Sequence, residues 1–208
     1  MLRQADVVNG ALKLLDQDGL EGLTMRKLGV ALGVHAGALY RHYPSKEALL
    51  DAMAEKLVEG VADPPPDGPW DQRLMVLANR FRDALLSHRD GARVFAGTFV
   101  SSPNTNAIGV AAVDALVSAG LSAERAGWIT YAGMYYVLGH TIEEQAQLRL
   151  AGRGEDWSSR AAESPPADPT FAEALRSVST ADPADRFTYG FELFLDGVRG
   201  AVPLPRPG

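Results

Sequence analysis

Residues 62 to 69 read ADPPPDGP, and neither a helix nor a strand can run through them. Three successive prolines withhold backbone donors and fix φ, and the Gly-Pro pair closes the segment as a stiff turn. The chain therefore divides into an N-terminal piece of about sixty residues and a larger C-terminal piece. On both sides the apolar residues recur at helical spacing. Val7, Val8, Ala11, Leu12, Leu14 and Leu15 mark one stripe, and Leu49, Leu50, Met53 and Leu57 mark another. No alternating pattern of useful length appears, so the expected fold is all-α.

The N-terminal piece is punctuated finely. Asp18-Gly19 is a helix stop, and Thr24 caps a short second helix with Leu23 and Leu28 placed as a hydrophobic staple. Gly33 ends that helix. A third begins at His35 or Ala36 and must stop before Pro44, and Ser45 caps a fourth that reaches about Val61. Beyond the proline run, helices are expected at about 70–88, 91–97, 104–119, 122–150, 170–177 and 183–200. Asp182-Pro183 supplies a cap and a first-position proline for the last of these. Residues 152–169 read as a loop and the tail VPLPRPG as a frayed end.

Charge separates the two pieces. The net charge is −6, yet residues 1 to 50 carry six Lys or Arg against five Asp or Glu, which leaves −7 for the remainder. From Thr24 to Lys46 there is no acid, while Arg26, Lys27, Arg41, Lys46, His35 and His42 all fall in that window. A basic head on an acidic body suits a protein that meets phosphates with the head alone. Two short helices around Gly33-Val34-His35 form a helix-turn-helix pattern. Ala36, Gly37 and Ala38 keep the second helix thin enough for a major groove about 12 Å wide, and Tyr40, Arg41 and His42 follow with hydrogen-bonding tips. Leu28, Leu32, Val34 and Leu39 would join the two helices. A helix pair with a merely solvated basic face is the competing account of the same residues.

The stretch LTMRKLGVALGVHAGALYRHYPSKEALLDAMA resembles the N-terminal domain of the tetracycline-repressor family, whose hallmark Tyr-x-His and Lys-x-x-Leu fall here on Tyr40, His42, Lys46 and Leu49. FRDALLSHRDGARV from Phe81 and LGHTIEEQ from Leu138 are similar to the C-terminal domain of the family's tetracycline-responsive members. The resemblance implies a three-helix DNA-binding domain over 1–45, a connecting helix over 46–62, and a ligand-binding and dimerisation domain over 70–200. It places Arg26, Ala36, Gly37, Ala38, Tyr40, Arg41, His42 and Lys46 at DNA-contact positions. Thr24, Lys27 and His35 complete the expected DNA-binding set. Tyr40, His42 and Lys46 are assigned to phosphates, and Arg26 and Arg41 to bases, because a guanidinium can bond guanine O6 and N7 together.

In the C-terminal piece, Trp128, Tyr131 and Tyr135 follow i, i+3, i+7 and share a helix face, either as core or as a ligand wall. The family's drug site is only partly matched. Its magnesium-holding histidine corresponds to Phe95, its asparagine to Leu77 and another histidine to Tyr135, while Thr98 and Glu143 are kept. With Phe81, these residues imply a pocket for a hydrophobic or aromatic effector, with no cofactor and no metal. His140 and Glu143, one turn apart, make too few ligands for a metal site. Gly190 and Gly197 in a Phe- and Leu-rich helix suggest close approach of another helix, in a homodimer or inside one chain.

The function so implied is a one-component repressor, cytoplasmic and off the membrane, that binds a palindromic operator as a dimer and is released by that effector. An effector-independent regulator or an activator is the alternative, with a small-molecule sequestering protein further off. An enzyme is not expected: the four histidines are scattered, cysteine is absent and no glycine-rich loop follows a strand.

Overall fold

The computed structural model describes residues 2–98, 101–152, 154, 159, 162–163 and 166–202. Among them there is helix and no strand. The order is α1 (Gln4–Gly22), α2 (Met25–Ala31), α3 (Ala36–Tyr40), α4 (Lys46–Leu57), α5 (Trp70–Leu86), α6 (Gly91–Ala96), α7 (Pro103–Ser118), α8 (Ala123–Ala151), α9 (Pro169–Thr180) and α10 (Pro183–Arg199). Most of the loop expected over 152–169, and the tail from residue 203, lie outside the described residues.

The caps read from sequence are in place. Thr24 accepts from the Lys27 N–H, Ser45 from Ala48 and Asp182 from Ala184. Leu23 and Leu28 are both buried, as a staple requires. Several boundaries differ, those of α1 and α4 among them. The left-handed Gly19 kinks α1, but the helix resumes to Gly22. α4 ends at Leu57 rather than Val61; the rest of the segment to Ala62 is turn, although Val58 and Val61 stay buried.

One continuous buried cluster runs from head to body through α4. Val7, Ala11, Leu12, Leu15, Leu28 and Leu39 fill the head, and α4 packs on α1 there and on α6 and α7 of the body. α5, α7 and α8 form the body's main layer, with α10 against α8. The inward face of α8 is Ala126, Gly133, Val137, Leu138, Thr141, Glu144 and Gln145.

That face holds a buried ion pair. Arg82 of α5 donates from Nε and Nη2 to the Glu144 carboxylate at 2.8 and 2.5 Å, and its guanidinium lies 5.3 Å from the Phe187 ring. His140, one turn earlier, is packed between the Tyr136 and Phe187 rings, with Nδ1 buried, unbonded and 3.7 Å from Glu144. Desolvation lowers the His140 pKa; Glu144 on its own helix opposes this, while Arg82 of α5 and Arg186 of α10 add to it. The unfolded chain therefore takes up this proton more readily than the folded one. Stability should fall as pH drops through the ordinary histidine range near about 6.5. In unfolding titrations between pH 7 and 5, His140→Leu should flatten that decline; an unchanged slope would refute the assignment.

Candidate DNA-binding interface

The helix-turn-helix is built on a backbone contact. A Cβ on Gly29 of α2 would lie 2.8 Å from the Val34 carbonyl oxygen and 3.2 Å from the Ala36 nitrogen, so α2 and the start of α3 meet where only glycine fits. Gly33 turns the chain at φ 65°, in the left-handed region glycine tolerates. The Val34 N–H then donates to the Gly29 carbonyl at 2.9 Å. Leu28 and Leu39 are fully buried beneath the pair, with Leu32 and Val34 half-buried against them.

α3 is shorter than the sequence suggested. It ends at Tyr40, and Arg41 is its cap. His42 and Tyr43 both donate their N–H to the Leu39 carbonyl at 2.9 Å, so the backbone stays coiled past the last regular turn. Arg41 and His42 are thus presented from a turn rather than a helix side. Tyr43 is pinned underneath, buried, with its hydroxyl 3.5 Å from the Gln4 carbonyl and its pKa raised by desolvation.

The expected contact residues lie on one exposed stretch of chain. Thr24, Arg26, Lys27, His35, Gly37, Tyr40 and Arg41 are exposed, and Ala36, Ala38, His42 and Lys46 are half-buried. Nothing lies within 4 Å of the space a Gly37 side chain would fill. Arg26, Arg41 and Lys46 take part in no salt bridge among the described residues. Lys27 differs: its ammonium is 2.6 Å from Asp18, so its charge is partly spent inside the head. The head thus presents unpaired cations around a helix entrance of small side chains.

A polar joint that the sequence reading missed ties the head to the body. Asp90 has φ 57° and is buried. Its carboxylate accepts the Leu20 N–H of α1 at 3.0 Å and the Arg149 guanidinium of α8 at 2.6 Å. Asp16 of α1 takes His88 Nδ1 at 2.9 Å and the Arg89 N–H at 3.0 Å. Arg93 of α6 binds Glu21 at 2.6 Å, and this hydrogen bond lowers the Glu21 pKa to about 2. The motif SHRDGARV contains four of these groups, but their α1 partners are some seventy positions away and show no pattern of their own.

The expected ligand residues are divided. Leu77, Phe81 and Phe95 are buried, and the two phenyl rings meet edge to face at 5.0 Å. Thr98 is half-buried and donates its hydroxyl to the Phe95 carbonyl at 2.8 Å. Trp128, Tyr131 and Tyr135 do not join them within one chain. They are 71, 53 and 63% exposed, and Glu143 is exposed as well. The i, i+3, i+7 spacing shows that the three share a face but not which way it turns, and the inward face of α8 is already taken. For Gly190 the structure selects one of the two readings. A side chain there would strike the Tyr136 hydroxyl, which donates to the Phe187 carbonyl at 2.9 Å, so the close approach is inside one chain. Nothing lies within 4 Å of the space a Gly197 side chain would fill.

A helix-turn-helix head joined by one helix to an all-helical body is the architecture of a DNA-binding regulator. Residues 7–53 match the bacterial regulatory proteins of the tetR family, and residues 63–202 match the tetracyclin repressor-like C-terminal domain. The chain belongs to the tetracycline-repressor family. It is 37% identical over 201 residues to the class C tetracycline repressor protein of Escherichia coli, covering 95% of this chain and 90% of that protein. A possible TetR family transcriptional regulator of Streptomyces coelicolor superposes with a TM-score of 0.89 at 42% identity, over 96% of this chain and all of that one. An Acinetobacter baumannii TetR variant in complex with minocycline gives 0.75 at 30% identity, over 98% and 100%. BioQ with its double-stranded DNA operator gives 0.72 at 31% identity, over 95% and 98%. Among the described residues no helix is long and apolar enough to cross a membrane.

Proposed function

We propose that this chain is a transcriptional repressor that binds a palindromic operator as a homodimer and is released by a hydrophobic or aromatic ligand. One observation carries the reading: Arg26, Arg41 and Lys46 stand unpaired around the small-sided entrance of α3, whereas most arginines of the body are engaged. The operator-bound BioQ and the minocycline-bound TetR, with the same fold, support DNA as partner and a small molecule as effector. In this assignment Tyr40, His42 and Lys46 hold phosphates, Arg26 and Arg41 read bases, and Thr24, as the cap of α2, fixes the entry of that helix.

Binding isotherms against salt test the division. Lys46→Ala should weaken binding to every duplex and reduce the salt slope by about 1. Arg41→Ala should cost about 1–3 kcal/mol on the preferred duplex and little on a scrambled one. Equal losses on both duplexes for Arg41→Ala, or an unchanged salt slope for Lys46→Ala, would reject the roles.

Pairing of two copies rests on the faces left open. Trp128, Tyr131, Tyr135 and Gly139 form one stripe along α8, and Tyr189, Leu193 and Gly197 another along α10. An exposed apolar area of this kind on adjacent helices fits a second copy. Two-fold symmetry would set operator half-sites about one helical turn or somewhat more apart. Leu193→Arg should shift the protein from dimer to monomer in light scattering at micromolar concentration, and a dimer unaffected by this change would remove the two stripes from the interface.

The effector site is assigned to the Leu77, Phe81, Phe95 and Thr98 cluster. Phenylalanine at 95 cannot ligate a metal, which speaks against a magnesium chelate and for an apolar ring against the two phenyl rings. Glu143 and the α8 aromatics remain candidates only from a partner copy.

A further inference from the structure

Glu55 sits half-buried in the last turn of α4. Its carboxylate accepts the Asn104 N–H at 2.8 Å and the Thr105 N–H at 3.4 Å, and the Ser102 hydroxyl also donates to it. The Asn104 side-chain amide returns a bond to the Glu55 carbonyl at 3.3 Å. Ser102 is the N-cap of α7 but does not cap it with its own side chain. The first-turn donors of α7 are therefore satisfied by an anion from another helix, where charge also suits the helix dipole. α7 in turn starts seven residues after Ala96, the end of the helix that carries Phe95.

We propose that Glu55 is a positioning residue that couples the body to the DNA-binding head, by making α4 move with the first turn of α7. The proposal rests on the reading of the chain as a ligand-released DNA-binding protein. α4 is one continuous helix that packs on α1 of the head as well as on α6 and α7 of the body. Any rearrangement around Phe95 that displaces the start of α7 must either drag Glu55 or break its three carboxylate contacts. The head would then tilt about the α1 joint at Asp90. Coupling of this kind is reciprocal, so occupancy of the head by DNA must also be felt at α7.

Hydrogen exchange on the full chain, free and saturated with the operator duplex, tests this, with fluorescence anisotropy on the same samples reporting DNA binding. Glu55→Gln keeps the shape and one acceptor but loses the charge; Asn104→Asp attacks the contact from the α7 side and guards against misfolding of either variant. In the wild type, DNA should change exchange at residues 104–105 by at least about threefold, and both variants should lose that change while still binding DNA. In the free protein, Glu55→Gln should speed exchange at those two amides about tenfold, the size of a lost charged hydrogen bond. DNA bound with no change at 104–105, or with the same change in the variants, overturns the coupling and leaves the regulator reading intact. No DNA bound by the wild type overturns both.

Discussion

Glu144→Leu should destabilise the fold by about 3–5 kcal/mol, measured by denaturant unfolding at pH 7. The reason is what remains behind. Arg82 is a buried guanidinium, and once the 2.5 and 2.8 Å bonds are gone its nearest carboxylate is the exposed Asp83 at 3.7 Å. Phe187, 5.3 Å away, offers a ring face that offsets only a small part of the loss. The double change Arg82→Met with Glu144→Leu removes both charges and should recover most of the stability, because an apolar pair of similar volume is tolerated where half an ion pair is not. His140 sharpens the test. With Glu144 replaced, the influence that raises its pKa is removed and Arg82 and Arg186 remain, so the histidine should titrate lower still in the single variant. A single-variant cost below about 1 kcal/mol would mean that the pair is solvated and that α5, α8 and α10 pack less tightly than described.

The second large effect is expected at Gly29. Adding one methyl group there sets a carbon 2.8 Å from the Val34 carbonyl oxygen, an atom fixed by the backbone of the turn. The turn must open by several tenths of an ångström, and α3 must shift with it. Gly29→Ala should cost the head about 1–3 kcal/mol and lower operator affinity by about 10- to 100-fold, with the body's own unfolding unchanged. Gly37→Ala is the internal control. Its side chain would enter open space, so folding should be nearly unaffected. Equal affinity for Gly29→Ala and the wild type would show that the close α2–α3 contact does not set the recognition geometry.

Much of the head was legible because its signals are local. Thr24, Gly33, Pro44 and Ser45 each act on neighbours within four residues, and the acid-free window needs no tertiary contact to be seen. The body was legible in its helices but not in their facing. Trp128, Tyr131 and Tyr135 announce a shared face by spacing alone, and the direction of that face depends on which side of α8 carries Val137, Leu138 and Glu144 against α5 and α10. Gly190 shows the same limit: a glycine predicts a close neighbour without saying whether it is Tyr136 of the same chain or another copy. The joints were the least visible. Asp16 with His88, Asp90 with Arg149, Arg82 with Glu144 and Glu55 with Asn104 pair residues 49 to 72 positions apart, and single charged residues at such separations leave no periodic trace.

The measurement closest to the central claim is a titration of the purified chain against the DNA flanking its own gene, at several salt concentrations and with a panel of hydrophobic aromatic compounds. The account predicts tight binding to one palindrome, a steep salt dependence, and release by one of the compounds but not by magnesium-tetracycline. Binding equally weak on every sequence, or a specific complex released only by the magnesium chelate, would contradict it.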